Sequence, residues 1–402
     1  MKRRPKAAIE GRSGATERML LGLARRLAVG RLDLTLPSGR RETIAGRAPG
    51  PAASLTVRRL RLLRRLLAAG ANGFAEGYMA GDCDTPDLEA LLRLAALNEA
   101  ALAEALAGRW SARVWHRLQH RLRPNTRGGS RRNIHAHYDL GNAFYSQWLD
   151  PTMTYSAAVF PAEGGDLTAA QLNKYRLICD AAAVRPDASL LEIGCGWGGF
   201  ASYAARERGA RVTAVTISAA QHEAASRRIF HEGLADRVSI LQRDYRDLEG
   251  RFDAVASIEM FEAVGERYWP AFFAKVKGVL RPGGQAGLQI ITIHDRLFQR
   301  YRRSADFIQR HIFPGGMLPS PAALQAQTRA AGLAWIDDRG YGLDYARTLR
   351  TWRERFHAAW GAIQPLGFDE RFRRLWTYYL AYCEAGFRTG RIDLKQIALR
   401  AE

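Results

Sequence analysis

Leu190–Phe200 reads LLEIGCGWGGF, an apolar run that passes directly into glycines at 194, 196 and 198 and then into helical spacing. Glycines at a strand-to-helix turn let the backbone approach a ligand, and the first N–H groups of the following helix are free to meet it. Alone, such a turn does not separate a cofactor site from a structural one. Its surroundings narrow the choice. Ser189–Ile193, Arg211–Thr216, Val238–Gln242, Asp253–Ile258 and Gly287–Thr292 read as short buried strands. Helical spacing over 168–184, 198–208, 219–232 and 269–280 separates them, and this alternation predicts an α/β fold with a mainly parallel sheet covered on both faces.

Upstream the text changes. Residues 1–125 hold 23 Lys+Arg against 11 Asp+Glu, a net +12 of the chain's +20. Arg31–Leu36 reads as a strand, Val57–Ala69 (VRRLRLLRRLLAA) as an amphipathic helix, and 86–107 as a second helix capped by Asp84 or Thr85. Trp110, Val114, Trp115 and Leu118 recur at helical spacing before RPNTRGGSRRN at 123–133 breaks the pattern. The break predicts two domains, a basic auxiliary domain over 1–125 and a larger one over 126–402. Arginine-rich surface suits phosphate groups, on nucleic acid or on an anionic lipid surface, and Val57–Ala69 could lie on such a membrane or pack its leucines inward.

Cys83, Cys179, Cys195 and Cys383 form no CxxC pair, so neither a zinc site nor a disulfide framework is expected. No apolar run approaches the roughly 18 residues of a membrane span. A cytoplasmic protein that meets a membrane only at its inner surface is the expectation. His135 and His137 have an HxH spacing without a third ligand nearby, which disfavours a metal.

The form E-x-G-x-G-x-G at 192–198 resembles the first motif of the Rossmann-like S-adenosylmethionine methyltransferases. The second strand ends in Val215–Ser218 without the ribose-binding acid of a dehydrogenase. The run HAHYDLGNAFYSQWLDPTMTYSAAVF at 135–160, VTISAAQ at 215–221, IEMFEAVGERYWPAFF at 258–273, IFPGGMLPS at 312–320, YGLDYARTLRTW at 341–352 and WTYYLAYCEAGFRTGRID at 376–393 are similar to the cyclopropane fatty acid synthases, including the mycolic acid enzymes. LPSG at 36–39 and GFAEGYMAGD at 73–82 resemble the auxiliary domain of the longer bacterial members.

That resemblance implies a class I methyltransferase domain with a seven-stranded sheet, a smaller, mostly helical α+β N-terminal domain, and transfer of a methyl(ene) group from S-adenosylmethionine to the cis double bond of an unsaturated phospholipid, forming a cyclopropane ring. It implies cofactor contacts from Tyr155, Ser156, Gly194, Gly196, Trp197, Thr216, Gln221 and Ile258. It also implies a bound bicarbonate as the base, held by Glu262, Tyr345 and the main-chain N–H groups of Ala157 and Ile291. Glu262 beside that anion would share a proton with it. Ala157 stands where the family often has cysteine and Gln289 where it often has histidine; the Gln amide can donate to the anion but cannot titrate.

Phe144, Tyr145 and Trp148 are candidates for stabilising a carbocation through their ring faces, though residues so spaced are more often core. Cys195 reads as packing. A homodimer on an anionic phospholipid surface is the implied assembly. A methyl- or methylene-branched acyl product is the alternative on the same scaffold, since the cation can lose a different proton. An RNA methyltransferase is the alternative raised by charge; no RNA-recognition motif accompanies it, so no nucleic-acid partner is expected.

Overall fold

The computed structural model describes residues 6–106 and 140–402, so His135, His137 and the 110–118 aromatic run lie outside the described residues. The described chain divides into two units.

The first unit combines the N-terminal residues with Phe368–Thr389. Strands β1 (Val29–Thr35), β2 (Arg41–Ala45), β3 (Ala48–Val57) and β4 (Cys83–Asp84) form a sheet in the order β2-β1-β3-β4. The turn at Pro37–Gly39 closes the β1–β2 hairpin, with Gly39 at φ +85°. Val57 ends β3, so the expected helix starts later, at Arg61, and runs to Met79 across a break at Gly70 (φ +56°, ψ −131°). Leu62 and Leu63 are buried, whereas Arg59, Arg61 and Arg65 gather on the fully buried Asp82.

The helix expected over 86–107 is two helices, Leu88–Leu97 and Glu99–Leu106, capped by Asp87 rather than Asp84 or Thr85. Asn98 makes the break. Its Oδ1 accepts from Ala28 N (2.7 Å) and Val29 N (3.0 Å), while its Nδ2 donates to Val29 O (2.9 Å) and Leu94 O (2.8 Å). The distant helix Glu370–Arg388 is tied in by Arg374, which donates to Tyr78 O, Asp84 Oδ1 and Cys83 O at 2.6–2.7 Å.

The second unit carries β5 (Ser189–Ile193), β6 (Arg211–Thr216), β7 (Val238–Gln242), β8 (Phe252–Ile258), β9 (Leu280–Ile293), β10 (Leu333–Gly340) and β11 (Ile392–Ala401). They form one sheet in the order β10-β11-β9-β8-β5-β6-β7, with β11 antiparallel to both neighbours and the other pairings parallel. The five strands read from the sequence are its contiguous parallel part. Alternate residues enter two cores. Leu191, Ile193, Val255 and Leu288 meet Phe261, Trp269, Phe272 and Phe273 on one face. Leu190, Val212, Ala214 and Ala254 meet the helices Leu167–Ala181 and Gly199–Arg208 on the other. Each such large side chain stabilises the sheet by about 1.5–3 kcal/mol. The chain leaves β5 for β6 on one side and returns to place β8 on the other, a switch point whose C-terminal crevice is where open α/β sheets bind ligands. This is the class I methyltransferase topology.

Candidate active site

Burial falls at that crevice. Ile193, Ser257 and Ile290 are closed to solvent, while Gly194, Gly196, Ile258, Glu259 and Ile291, each just beyond, retain partial access. The glycine turn borders it. Gly194, Gly196 and Gly198 all have positive φ, and a Cβ on Gly194 would lie 2.8 Å from Met260 Cγ. Gly198 precedes the helix Gly199–Arg208, whose first N–H groups need partners. At the end of β6, Thr216 Oγ1 donates to Gln221 Oε1 at 2.9 Å, so these two polar side chains sit together. An open backbone cradle, a helix N-terminus and a polar pair suit an adenosyl cofactor.

The segment 152–160 is stitched across the crevice mouth. Phe160 N donates to Asp344 Oδ1 (2.8 Å) and Ala158 N to Thr348 Oγ1 (3.2 Å), both on the helix Gly342–Ala358 that carries Tyr345. From the opposite side the helix Leu167–Ala181 sends in Gln171, which donates to Ser156 O (2.9 Å), and Lys174, which donates to Ser156 Oγ (2.8 Å). Tyr155 sits among Tyr145, Trp148 and Trp352 with ring centroids 5.2–5.6 Å away. Trp197 is buried and donates from Nε1 to Asn142 Oδ1 at 2.8 Å. Phe144, Tyr145 and Trp148 are fully enclosed in this aromatic cluster, as core residues are.

The residue at the centre was not anticipated. Glu259, one step beyond β8, has φ +50°, a left-handed conformation costing a non-glycine residue about 1–2 kcal/mol. That backbone turns the carboxylate into the crevice. Its Oε1 accepts from Ala157 N and Gln289 Nε2, each at 2.8 Å, and its Oε2 from the Tyr345 hydroxyl at 2.6 Å. Ile291 N instead donates to Glu262 Oε1 at 2.6 Å, leaving Glu262 Oε2 buried without a hydrogen-bond partner.

The charges here are few and enclosed. Burial, and then the neighbouring Glu259, push Glu262 up to about 8. Burial raises Glu259 as well, against its three hydrogen bonds and Lys174. Burial lowers Lys174 to about 7 and raises Glu192, inside β5, to about 8. Two like charges side by side do not both persist in such a site. Glu259 has three donors and Glu262 one, so Glu259 holds the negative charge and Glu262 the proton. Burial also holds the Cys195 thiol well above its ordinary value, which keeps it a packing group.

Of the site residues read from the sequence, Tyr155, Gly194, Gly196, Ile258, Glu262 and Ile291 keep partial access, whereas Ser156, Ala157, Trp197, Thr216, Gln221, Gln289 and Tyr345 are buried, and Phe144, Tyr145 and Trp148 sit in the aromatic core. Glu259, Lys174, Gln171 and Glu192 join them. The available signal was polarity out of place: an acid three residues before Glu262 where a strand leaves the core, and Gln171 and Lys174 on the buried, otherwise mainly apolar face of the helix Leu167–Ala181.

The family model for mycolic acid cyclopropane synthetase matches residues 126–397. The tuberculostearic acid methyltransferase UfaA1 of Mycobacterium tuberculosis is 40% identical over 90% of this chain and 86% of its own. The cyclopropane-fatty-acyl-phospholipid synthase of Escherichia coli is 37% identical over 88% of each. The crystal structure of mycolic acid cyclopropane synthase CmaA1 complexed with SAH and CTAB superimposes with a TM-score of 0.63 at 29% identity, covering 67% of this chain and 98% of that one. Sheet order, glycine turn and these likenesses agree: the chain belongs to the mycolic acid cyclopropane synthetase family of S-adenosylmethionine-dependent methyltransferases.

Proposed function

We propose that the protein transfers the methyl carbon of S-adenosylmethionine to the cis double bond of an unsaturated phospholipid acyl chain and closes a cyclopropane ring. The observation that carries this reading is the convergence of the glycine turn, the Thr216–Gln221 pair and the Glu259–Tyr345 cluster on one crevice. Gly194, Gly196, Trp197, Thr216, Gln221, Tyr155, Ser156 and Ile258 would hold the cofactor. When bound, it supplies a methyl carbon activated by a sulfonium.

An alkene is a weak nucleophile, so alignment in a site closed to water must remove much of the barrier. The enclosed rings around Tyr155 exclude water, and Lys174 fixes Ser156 beside them. Bicarbonate does not fit the arrangement. Ala157 N, Gln289 and Tyr345 are engaged by Glu259, and Ile291 N by Glu262.

A second reading, a methyl- or methylene-branched chain, is supported by the 40% likeness to a tuberculostearic acid methyltransferase and by the altered shell at Ala157 and Gln289. The excess of +12 in residues 1–125 supports docking on an anionic lipid surface at the inner face of the membrane, although Arg59, Arg61 and Arg65 are spent on Asp82. No helix among the described residues is long and apolar enough to cross a membrane. Purified protein incubated with methyl-labelled cofactor and vesicles of unsaturated phosphatidylglycerol tests the scheme. Upfield cyclopropane proton signals are expected, an alkene or branched methyl signal selects the second reading, and unlabelled lipid rejects both.

A further inference from the structure

We propose that the Glu259 carboxylate is the proton acceptor of the reaction, occupying within the chain the seat that the family resemblance implied for bicarbonate. The inference rests on the alkene chemistry above. A carboxylate and a bicarbonate present the same planar O–C–O edge, and Glu259 receives three of the hydrogen bonds expected for the free ion, from Ala157 N, Gln289 Nε2 and Tyr345 Oη. A carboxylate has about four lone-pair sites. Two on Oε1 and one on Oε2 are filled, which leaves one on Oε2 to accept a proton.

Three features show that the seat is built for a side chain. Glu259 keeps a left-handed backbone that a glycine would adopt freely, and it does so where the chain leaves β8 for the crevice. Gln289 is held with its amide nitrogen toward Glu259, because its Oε1 accepts from Gln396 Nε2 at 2.8 Å. At 157 the side chain is a methyl group, so only the main-chain N–H remains to reach the carboxylate.

The step balances without a redox partner. The alkene π pair forms a bond to the transferred methyl carbon as its bond to sulfur breaks, leaving a cation on the adjacent chain carbon. A methyl C–H proton passes to Glu259 Oε2, and the released electron pair closes the ring. In the branched alternative a hydride first shifts along the chain, and the same proton loss leaves a methylene group.

The test uses Glu259→Gln and Glu259→Gly in the full chain, with and without bicarbonate in carbon-dioxide-depleted buffer. Wild-type labelling of lipid is expected to ignore bicarbonate. Glu259→Gln should fall about 100- to 10,000-fold, the usual range for losing a general base. Glu259→Gly, which suits the backbone and empties the seat, should recover at least about tenfold on adding bicarbonate. Thermal melting checks that both variants fold, and line broadening of 13C-bicarbonate reads occupancy apart from activity: Glu259→Gly broadens the signal and wild type does not. Bicarbonate-dependent wild-type turnover, full activity in Glu259→Gln, or broadening by wild type overturns the proposal. Wild type that labels no lipid refutes the proposed function instead, and the broadening experiment still decides who holds the seat.

Discussion

Gln396 on β11 and Gln289 on β9 are direct cross-strand partners, and the bond from Gln396 Nε2 to Gln289 Oε1 fixes which end of the Gln289 amide faces Glu259. Both side chains are buried. The orientation of the amide that faces Glu259 is thus set by a strand that joins the sheet only at the end of the chain.

Replacing Gln396 by Leu leaves Gln289 Oε1 buried without a donor, at a cost of about 1–3 kcal/mol. The amide then gains by flipping its oxygen away, and Glu259 loses a hydrogen bond. Lower denaturant midpoint together with reduced turnover at unchanged cofactor binding is the expected result. A variant with altered cofactor affinity alone would contradict this chain of contacts.

Glu262 is the neutral partner of the acidic pair. Its carboxyl is raised from 4.5 to about 8 in the folded chain, so its stability contribution is complete below pH 4.5 and lost as pH rises through about 8. The difference in unfolding free energy between wild type and Glu262→Gln should therefore shrink, or turn in favour of the variant, as pH is raised from about 5 to about 9. Gln still accepts from Ile291 N, so turnover at pH 7 should stay within about tenfold of wild type. Loss as deep as that of Glu259→Gln would make Glu262 the base.

The parallel sheet was legible because strands covered on both faces must be apolar throughout, and the glycine turn because a close backbone approach admits few residues. The N-terminal unit was less so. Strand β3 begins with Ala48-Pro49-Gly50-Pro51, turn-rich text that only pairing with β1 makes a strand, and Asn98 splits a helix through bonds to Ala28 and Val29, about seventy residues away. At the site, Tyr345 and Glu262 follow from motif position. Glu259 did not, because its role depends on a left-handed backbone and on donors from 157, 289 and 345 that only the fold brings together.

Lys174 is the buried cation that favours ionised Glu259. Replacing it with Met removes that support, so the Glu259 carboxyl rises further and the acidic limb of the activity profile moves to higher pH. Stability changes in the opposite sense to that of Glu262. Lys174 is lowered from 10.5 to about 7, so its contribution is present above 10.5 and lost as pH falls through about 7. Wild type should gain on Lys174→Met in unfolding free energy between about pH 7 and pH 10, and an unshifted activity profile would separate Lys174 from Glu259.

Gly198 has φ +81°, and an added Cβ would sit 3.1 Å from Ala225 Cβ in the helix Ala219–His231. Alanine there meets both a disfavoured backbone and a packed neighbour on a helix it cannot easily displace, so the turn must shift away from its present path. Backbone strain alone is about 1–2 kcal/mol. The shift also moves the first N–H groups of the helix Gly199–Arg208, which would face the cofactor, so S-adenosylhomocysteine affinity measured by calorimetry should fall by at least about tenfold. Because the Glu259 cage is built from other elements, the segment at Ala157, β9 and the helix Gly342–Ala358, 13C-bicarbonate should remain unbroadened by Gly198→Ala, whereas a variant that lost affinity and also admitted bicarbonate would mean that the two halves of the crevice are not independent.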